Sequence, residues 1–238
     1  VAYQGIICFT PGTLIETPDG LQAVETLKVN DIVMTIDSGP QPIRWVSNSK
    51  ISCSGDLEHG KPIQIKADAF GPGLPNRDLV VSPQHRFLFH DNSGASDVEV
   101  FVAAKALTVL PHIRVLEGKK SIQYIHIALE KHEVIMAEGV FTESCYLGPV
   151  MLQDISKRHR PQMKAIFPKI GFNPGRGYGP TARPELRVQR SRKLLKARQL
   201  IYQPAPVPLG KGFPMPRHFR SFVDRNHGFS DHLAMVSR

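Results

Sequence analysis

The sequence predicts an all-β domain over residues 8–150, followed by a basic tail with one helix. Three observations carry this. Short apolar runs that alternate residue by residue recur at roughly 8–12-residue spacing. Gly and Pro turn signals separate them, among them Pro11-Gly12, Pro18-Asp19-Gly20, Ser38-Gly39-Pro40 and Gly71-Pro72-Gly73. The charge balance then breaks: up to Asp154 there are 12 Lys and Arg against 18 Asp and Glu, and from Ile155 onward 18 against 3.

Taken in order, Thr13–Thr17 is β-prone between two turns, and Leu21–Leu27 reads as a short strand and bend. Asp31–Asp37 alternates with Ile32, Met34 and Ile36 on one face, and Pro42–Val46 opens the next strand. Lys61–Phe70 alternates again through Ile63, Ile65, Ala67 and Ala69. Asp78–Val81 leads into Ser82-Pro83-Gln84-His85 and the apolar Phe87–Phe89; His90, just beyond, is expected to face solvent. Val98–Val109 mixes strand and helix signals, with a helical turn at Ala103–Leu107. In Ser121–Leu129, Ile125, Ile127 and Leu129 share one face, and Tyr124, His126 and Ala128 the other. Glu133–Ala137 is a further strand, with a turn at Gly139. In the tail, 184–200 has the helix pattern: Pro184 suits a first helical position, and Leu186, Leu194 and Leu195 share a broad face. The last thirty residues are basic and Pro-containing and are expected to be weakly ordered.

Composition narrows the function classes. No run reaches the eighteen or so apolar residues of a membrane-spanning helix, and the start Val1-Ala2-Tyr3-Gln4 has no signal-peptide pattern. Three cysteines, Cys8, Cys53 and Cys145, are too few for a disulfide scaffold, and neither Cys nor His has structural-zinc spacing. No cofactor or metal is expected.

Cys8-Phe9-Thr10-Pro11-Gly12-Thr13-Leu14-Ile15, then Thr17-Pro18-Asp19-Gly20, Val24-Glu25-Thr26-Leu27 and Asp31-Ile32-Val33, resembles the opening of a Hint domain, the module shared by hedgehog C-terminal domains and inteins. Val81–Arg86 and His132–Gly139 continue the likeness, which is greatest for the bacterial hedgehog/intein-type group; Ala182–Arg187 resembles the tail that follows the domain there. The resemblance implies a flattened, pseudo-symmetric β fold and self-cleavage through a thioester. Residues 1–7 are then an upstream flank, the remnant of a covalently linked cargo polypeptide. It also implies a larger exported bacterial protein as the natural setting, although the compartment is not legible in the sequence.

The chemistry fits the residue types. A thiol immediately after the scissile bond attacks the preceding carbonyl through a five-membered ring, and its thiolate is the reactive form. Cys8 has that placement; a buried thiol used as a small hydrophobe is the structural alternative. The family's Thr-x-x-His motif supplies a hydroxyl and a general acid for the leaving amine, and here it is Ser82-Pro83-Gln84-His85. Inteins carry an Asp on the strand before the last conserved His, whereas this chain has Tyr124-Ile125-His126, which makes His126 a candidate for assistance. His132 is a second candidate for proton handling, or else a strand-entry residue. An intein's closing His-Asn corresponds to Glu143-Ser144, and neither side chain can form the succinimide that Asn makes. Cleavage without splicing is therefore expected, with the thioester resolved by water or another nucleophile; Cys145 stands where an intein's downstream nucleophile would be, and either receives the acyl group by transthioesterification or is a packing residue.

Two other readings remain open at this stage. A Hint-like fold without activity would serve as a structural or interaction module. The tail, with Arg187, Arg190, Arg192, Lys193, Lys196 and Arg198 on one helix, would bind polyanions weakly or simply present a solvated face.

Overall fold

The structure is a computed structural model that describes residues 7–52, 61–94, 97–148, 151–152, 160–170 and 178–203. In chain order the strands are β1 (Leu14–Thr17), β2 (Gly20–Ala23), β3 (Ile32–Thr35), β4 (Gly39–Pro42), β5 (Trp45–Ser52), β6 (Ile63–Ile65), β7 (Leu79–Val81), β8 (Arg86–Asp91), β9 (Val98–Ala103), β10 (Ile113–Val115), β11 (Ser121–Ala128), β12 (Val134–Ala137), β13 (Val140–Glu143) and β14 (Leu200–Ile201). The helices are α1 (Ala104–Leu107), α2 (Arg160–Ile166) and α3 (Val188–Lys196).

The large sheet runs β14-β8-β13-β12-β1-β2, with β3 and β4 joined through β12 and β9 joined to β8. A second sheet is β10-β6-β7, and β11 and β5 form a long ribbon paired from Ser121↔Ser52 to Ala128↔Trp45. Phe9 ties the last two together: it bridges to Val81 of β7 and to Ile125 of β11, exchanging two 2.9 Å backbone hydrogen bonds with Ile125. The residue before it, Cys8, is therefore fixed by backbone pairing on both sides.

Local chemistry explains the turns. Pro18 and Asp19 form the two-residue loop between β1 and β2, with Thr17 opposite Gly20. The β12–β13 loop is Glu138-Gly139, both at positive φ (50° and 81°), as a two-residue type I′ connection requires. Glu138 is an unusual occupant there. Its carboxylate accepts from Leu14 N–H (2.7 Å) and pairs with Arg77 (2.6 Å), which offsets the backbone cost. A Cβ on Gly139 would lie 2.7 Å from Asn76 Nδ2, the end of a side chain that would have to shift, so the positive φ is the main reason for glycine here.

The main core gathers apolar residues from all three sheets, including Ile15, Val33, Ile65, Val81, Phe87, Ile125 and Ile135. Leu194, Leu195 and Leu200 from the far end of the chain join it. Tyr202 stacks on Phe70 and accepts from Phe141 N–H at 2.7 Å.

Several expectations are corrected. The alternation of Lys61–Phe70 forms a strand only over Ile63–Ile65, because the chain turns at Asp68 (φ 64°). The tail helix begins at Val188 and not at Pro184. Residues 184–186 are held as an extended stretch instead: Phe101 N–H donates to Pro184 O and Leu186 N–H to Phe101 O. Backbone pairing with β9 outcompetes the first helical turn that Pro184 suggested. His90 is buried, with Nδ1 2.9 Å from Asp97. Tyr124, His126 and Ala128 are buried, as are Ile125 and Ile127 on the opposite face, so β11 is covered on both faces there. Residues 1–6, Cys53 and the last thirty residues lie outside the described residues.

Candidate active site around Cys8

Cys8 is fully buried. Its backbone N–H, the nitrogen of the Ile7–Cys8 peptide bond, donates to Ser82 Oγ at 3.0 Å, and its carbonyl accepts from Ser82 N–H at 3.1 Å. Ser82 thus holds both backbone groups of Cys8. It directly follows β7, whose last residue Val81 is bridged to Phe9, and this places the hydroxyl next to a residue 74 positions earlier in the chain.

His126 projects from β11 toward the same bond. Its Nδ1 is 2.8 Å from the Ile7 carbonyl oxygen and its Nε2 is 3.5 Å from Cys8 Sγ. A carbonyl only accepts, so Nδ1 carries the proton and Nε2 is left bare, facing the thiol. One imidazole therefore bridges the sulfur and the carbonyl oxygen that a thiol attack would charge. Trp45, opposite Ala128 in the ribbon, stacks on the ring with centroids 6.1 Å apart and helps fix its plane. Burial pushes His126 down to about 4, only partly offset by the hydrogen bond to Ile7.

His85 closes the Ser82–His85 turn, its N–H bonded to Ser82 O at 3.1 Å. Its ring is wholly buried and lies edge-on to Phe9, with centroids 4.5 Å apart. Nε2 is 2.5 Å from Thr142 Oγ1, and Nδ1 has no hydrogen-bond partner. Burial drives His85 down to about 4; Glu143 pulls upward, while Arg86, His126 and His132 push further down.

His132 has a different setting. Its Nδ1 accepts from Ala182 N–H at 3.1 Å, and its ring packs against Phe101 and Tyr146. Its Nε2 is 3.1 Å from Glu143 Oε2, at ion-pair distance but out of line for a hydrogen bond. Glu143 is fully buried. Burial alone would raise its pKa, but Arg86 at 2.9 Å and His132 together hold it below the ordinary carboxylate value. Sequence reasoning named Cys8, Ser82, His85, His126 and His132. The structure joins Cys8, Ser82 and His126 by direct contacts, sets the His85 ring between Phe9 and Thr142, and places His132 with Glu143, Arg86 and the tail. Thr142 was missed, since it sits on a strand with an ordinary β pattern and no local signal marks it; Arg86 lies in the Val81–Arg86 motif but was given no role.

The segment after β13 is covered by the tail. Cys145 is buried, and its thiol is raised by burial and by Glu143. Its N–H donates to Ile127 O, and Tyr178 donates its hydroxyl to Cys145 O at 2.9 Å. Tyr146 donates to Gly179 O at 2.8 Å. Cys8 and Cys145 share an apolar cluster with Tyr124, Leu147, Met163, Phe167 and Ile170. Arg183 pairs with Asp37 and Glu99, fastening the tail to the acidic domain. On α3, Leu194 and Leu195 face the core and Arg190, Lys193 and Lys196 are exposed; Arg187 and Arg198, expected on the same helix, are exposed just outside its two ends. Among the described residues no cluster of His, Cys, Asp and Glu has the make-up of a metal site, and no helix is long and apolar enough to cross a membrane.

No functionally curated protein matches the chain. Among solved structures, it is similar to the bacterial intein-like domain from Clostridium thermocellum, at 12% identity, with 58% of this chain and 97% of that one covered and a TM-score of 0.40. It is also similar to the gp41-1 intein, at 14% identity, with 57% and 98% covered and a TM-score of 0.36. The model of the Hint domain family matches residues 7–149, well over half of the sequence, and the chain belongs to that family.

Proposed function

We propose that the chain cleaves itself between Ile7 and Cys8 through a thioester and releases whatever polypeptide precedes Cys8. The observation that carries this reading is the placement of His126 between Cys8 Sγ and the Ile7 carbonyl oxygen. Nε2 takes the thiol proton as the sulfur attacks the Ile7 carbon. The carbonyl electron pair moves onto oxygen, where Nδ1–H stabilises the charge. The tetrahedral intermediate collapses with rupture of the bond from carbon to Cys8 N. That nitrogen leaves as an amine after gaining a proton: the proton that the thiol gave to His126 is relayed to the bare Nδ1 of His85 and from there to the nitrogen, which Ser82 holds in place. The proton lost by sulfur is balanced by the one gained by nitrogen, so the shift needs no net protonation. Attack by water or another nucleophile on the thioester frees the upstream acyl group and restores the Cys8 thiol. Glu143-Ser144 offers no cyclising amide, so no ligation of flanks follows.

Intact mass spectrometry of a reporter fused ahead of Val1 tests this. The reporter is expected to be released ending at Ile7, faster with dithiothreitol or hydroxylamine, and the Cys8→Ala fusion is expected to stay whole. A folded fusion that stays uncut with thiol present, from pH 5 to 9, sinks the reading and leaves a structural Hint module.

The pH dependence follows from the two buried imidazoles. Both are lowered from 6.5 to about 4, so both are neutral at pH 7, and the neutral thiol brings the only proton the shift requires. Lowering the pH protonates His126 and removes the base. The rate of thioester formation is thus expected to be level above about pH 5 and to fall tenfold per unit below about 4. Near-ultraviolet circular dichroism recorded alongside separates loss of rate from loss of fold. An acid limb centred at 6.5 in folded protein would rule out a buried imidazole base.

A further inference from the structure

We infer that Thr142 is a positioning residue that decides which nitrogen of His85 exchanges the proton with Cys8; the inference rests on the cleavage reading above. Thr142 is fully buried on β13, which pairs with β8 at Thr142↔Phe87. Its hydroxyl has one hydrogen. That hydrogen is directed to Arg86 O, a pure acceptor, at 2.7 Å. Only lone pairs remain on Oγ1 for the 2.5 Å contact with His85 Nε2. The imidazole must therefore be the donor, with its proton on Nε2.

Two consequences follow for His85. In the neutral ring Nδ1 is bare, and it is the nitrogen with no partner in the buried site. When the ring is protonated, the new proton goes to Nδ1, while Thr142 keeps accepting from Nε2–H and so supports the cation. The opposite tautomer would leave Nε2 as an acceptor facing an oxygen whose hydrogen is already used, with two lone-pair sites opposed. Thr142 thus reserves Nδ1 for the leaving amine at Cys8 N, although it touches neither reacting atom. The charged and titratable groups around His85 are Glu143, Arg86, His126 and His132. None is a hydrogen-bond partner of its ring, so none supplies the same directional constraint.

The test uses the full chain with its upstream reporter. Nitrogen-15 spectra of histidine-labelled Cys8→Ala fusion read the tautomer without any cleavage. His85 is expected as the pure Nε2–H form, retained in Thr142→Ser and replaced by a mixture or by the Nδ1–H form in Thr142→Val. In the Cys8 background, Thr142→Val is expected to slow thioester formation by about 10- to 100-fold, a part of what general acid catalysis contributes, with Thr142→Ser restoring the rate. Nδ1–H in the parent overturns the inference, as does a folded Thr142→Val with the parental tautomer and rate. If Thr142→Val does not fold, the parent and Thr142→Ser spectra still decide the tautomer. A parent that never cleaves yet shows Nε2–H removes the cleavage reading and leaves Thr142's hold on the ring standing.

Discussion

Replacing His126 with Ala is expected to bring release at Ile7 to a near stop while the protein stays folded. The ring contributes two separable effects at one point in space. As a base for the thiol it falls among general acid–base groups, worth roughly 10²–10⁴ in rate. As a donor to the Ile7 carbonyl oxygen it falls among oxyanion donors, worth roughly 10²–10³. These factors do not multiply in full, because both serve the same transition state. A loss of at least about 10³ is the expected result, read by quantitative mass spectrometry of the uncut fusion over time. His126→Asn separates the roles: an amide can donate to the carbonyl but cannot take the thiol proton. It is expected to fall between the parent and Ala. If Ala and Asn both cleave within tenfold of the parent, the imidazole is a packing group on Trp45 and the base must be sought elsewhere.

The second large effect concerns stability. Arg86→Met is expected to cost about 3–5 kcal/mol, because the Glu143 carboxylate would remain fully buried without its guanidinium. Such a loss lowers the melting temperature by about 10 °C in a protein of this size. The double variant Arg86→Met, Glu143→Leu removes both charges and is expected to regain part of the loss, since a buried pair is often replaceable by apolar groups. Arg86 also reaches Glu185 at 2.9 Å, so part of the cost is a loosened tail. Urea titrations of the two variants measure this directly. A change below about 1 kcal/mol for Arg86→Met would mean that water enters and solvates Glu143.

Sequence legibility followed the range of the interactions. Hairpin β1–β2 and the turn that ends β12 were readable because a few neighbouring residues set them, whereas β13 beyond that turn was not named as a strand. The faces of β11 were readable from period-two alternation, but not that both would be buried, since cover comes from elements far away in the chain. Cys8, Ser82, His85 and His126 were candidates through motif and residue type. Their mutual arrangement was not visible, because it depends on Phe9 pairing with β7 and β11 at once. Thr142 escaped notice for the same reason: a Thr in a strand is ordinary until β8 lies beside it. His90 was expected to face solvent because its cover, β14, begins at Leu200. The helix start was misplaced because Pro184 carries a local preference that pairing with Phe101 overrides.

The seal over the far end of the domain gives the molecule a direction. Tyr178, Gly179 and Ala182 are stitched to Cys145, Tyr146 and His132, and β14 then docks on β8. The folded body accordingly runs past the boundary of the family match and includes part of the tail. Under the proposed chemistry, a passenger attached ahead of Cys8 would adjoin the thiol, while Cys145, which stands where an intein's downstream nucleophile would be, is closed under Tyr178; release from one side alone would then follow from how the tail is sewn down.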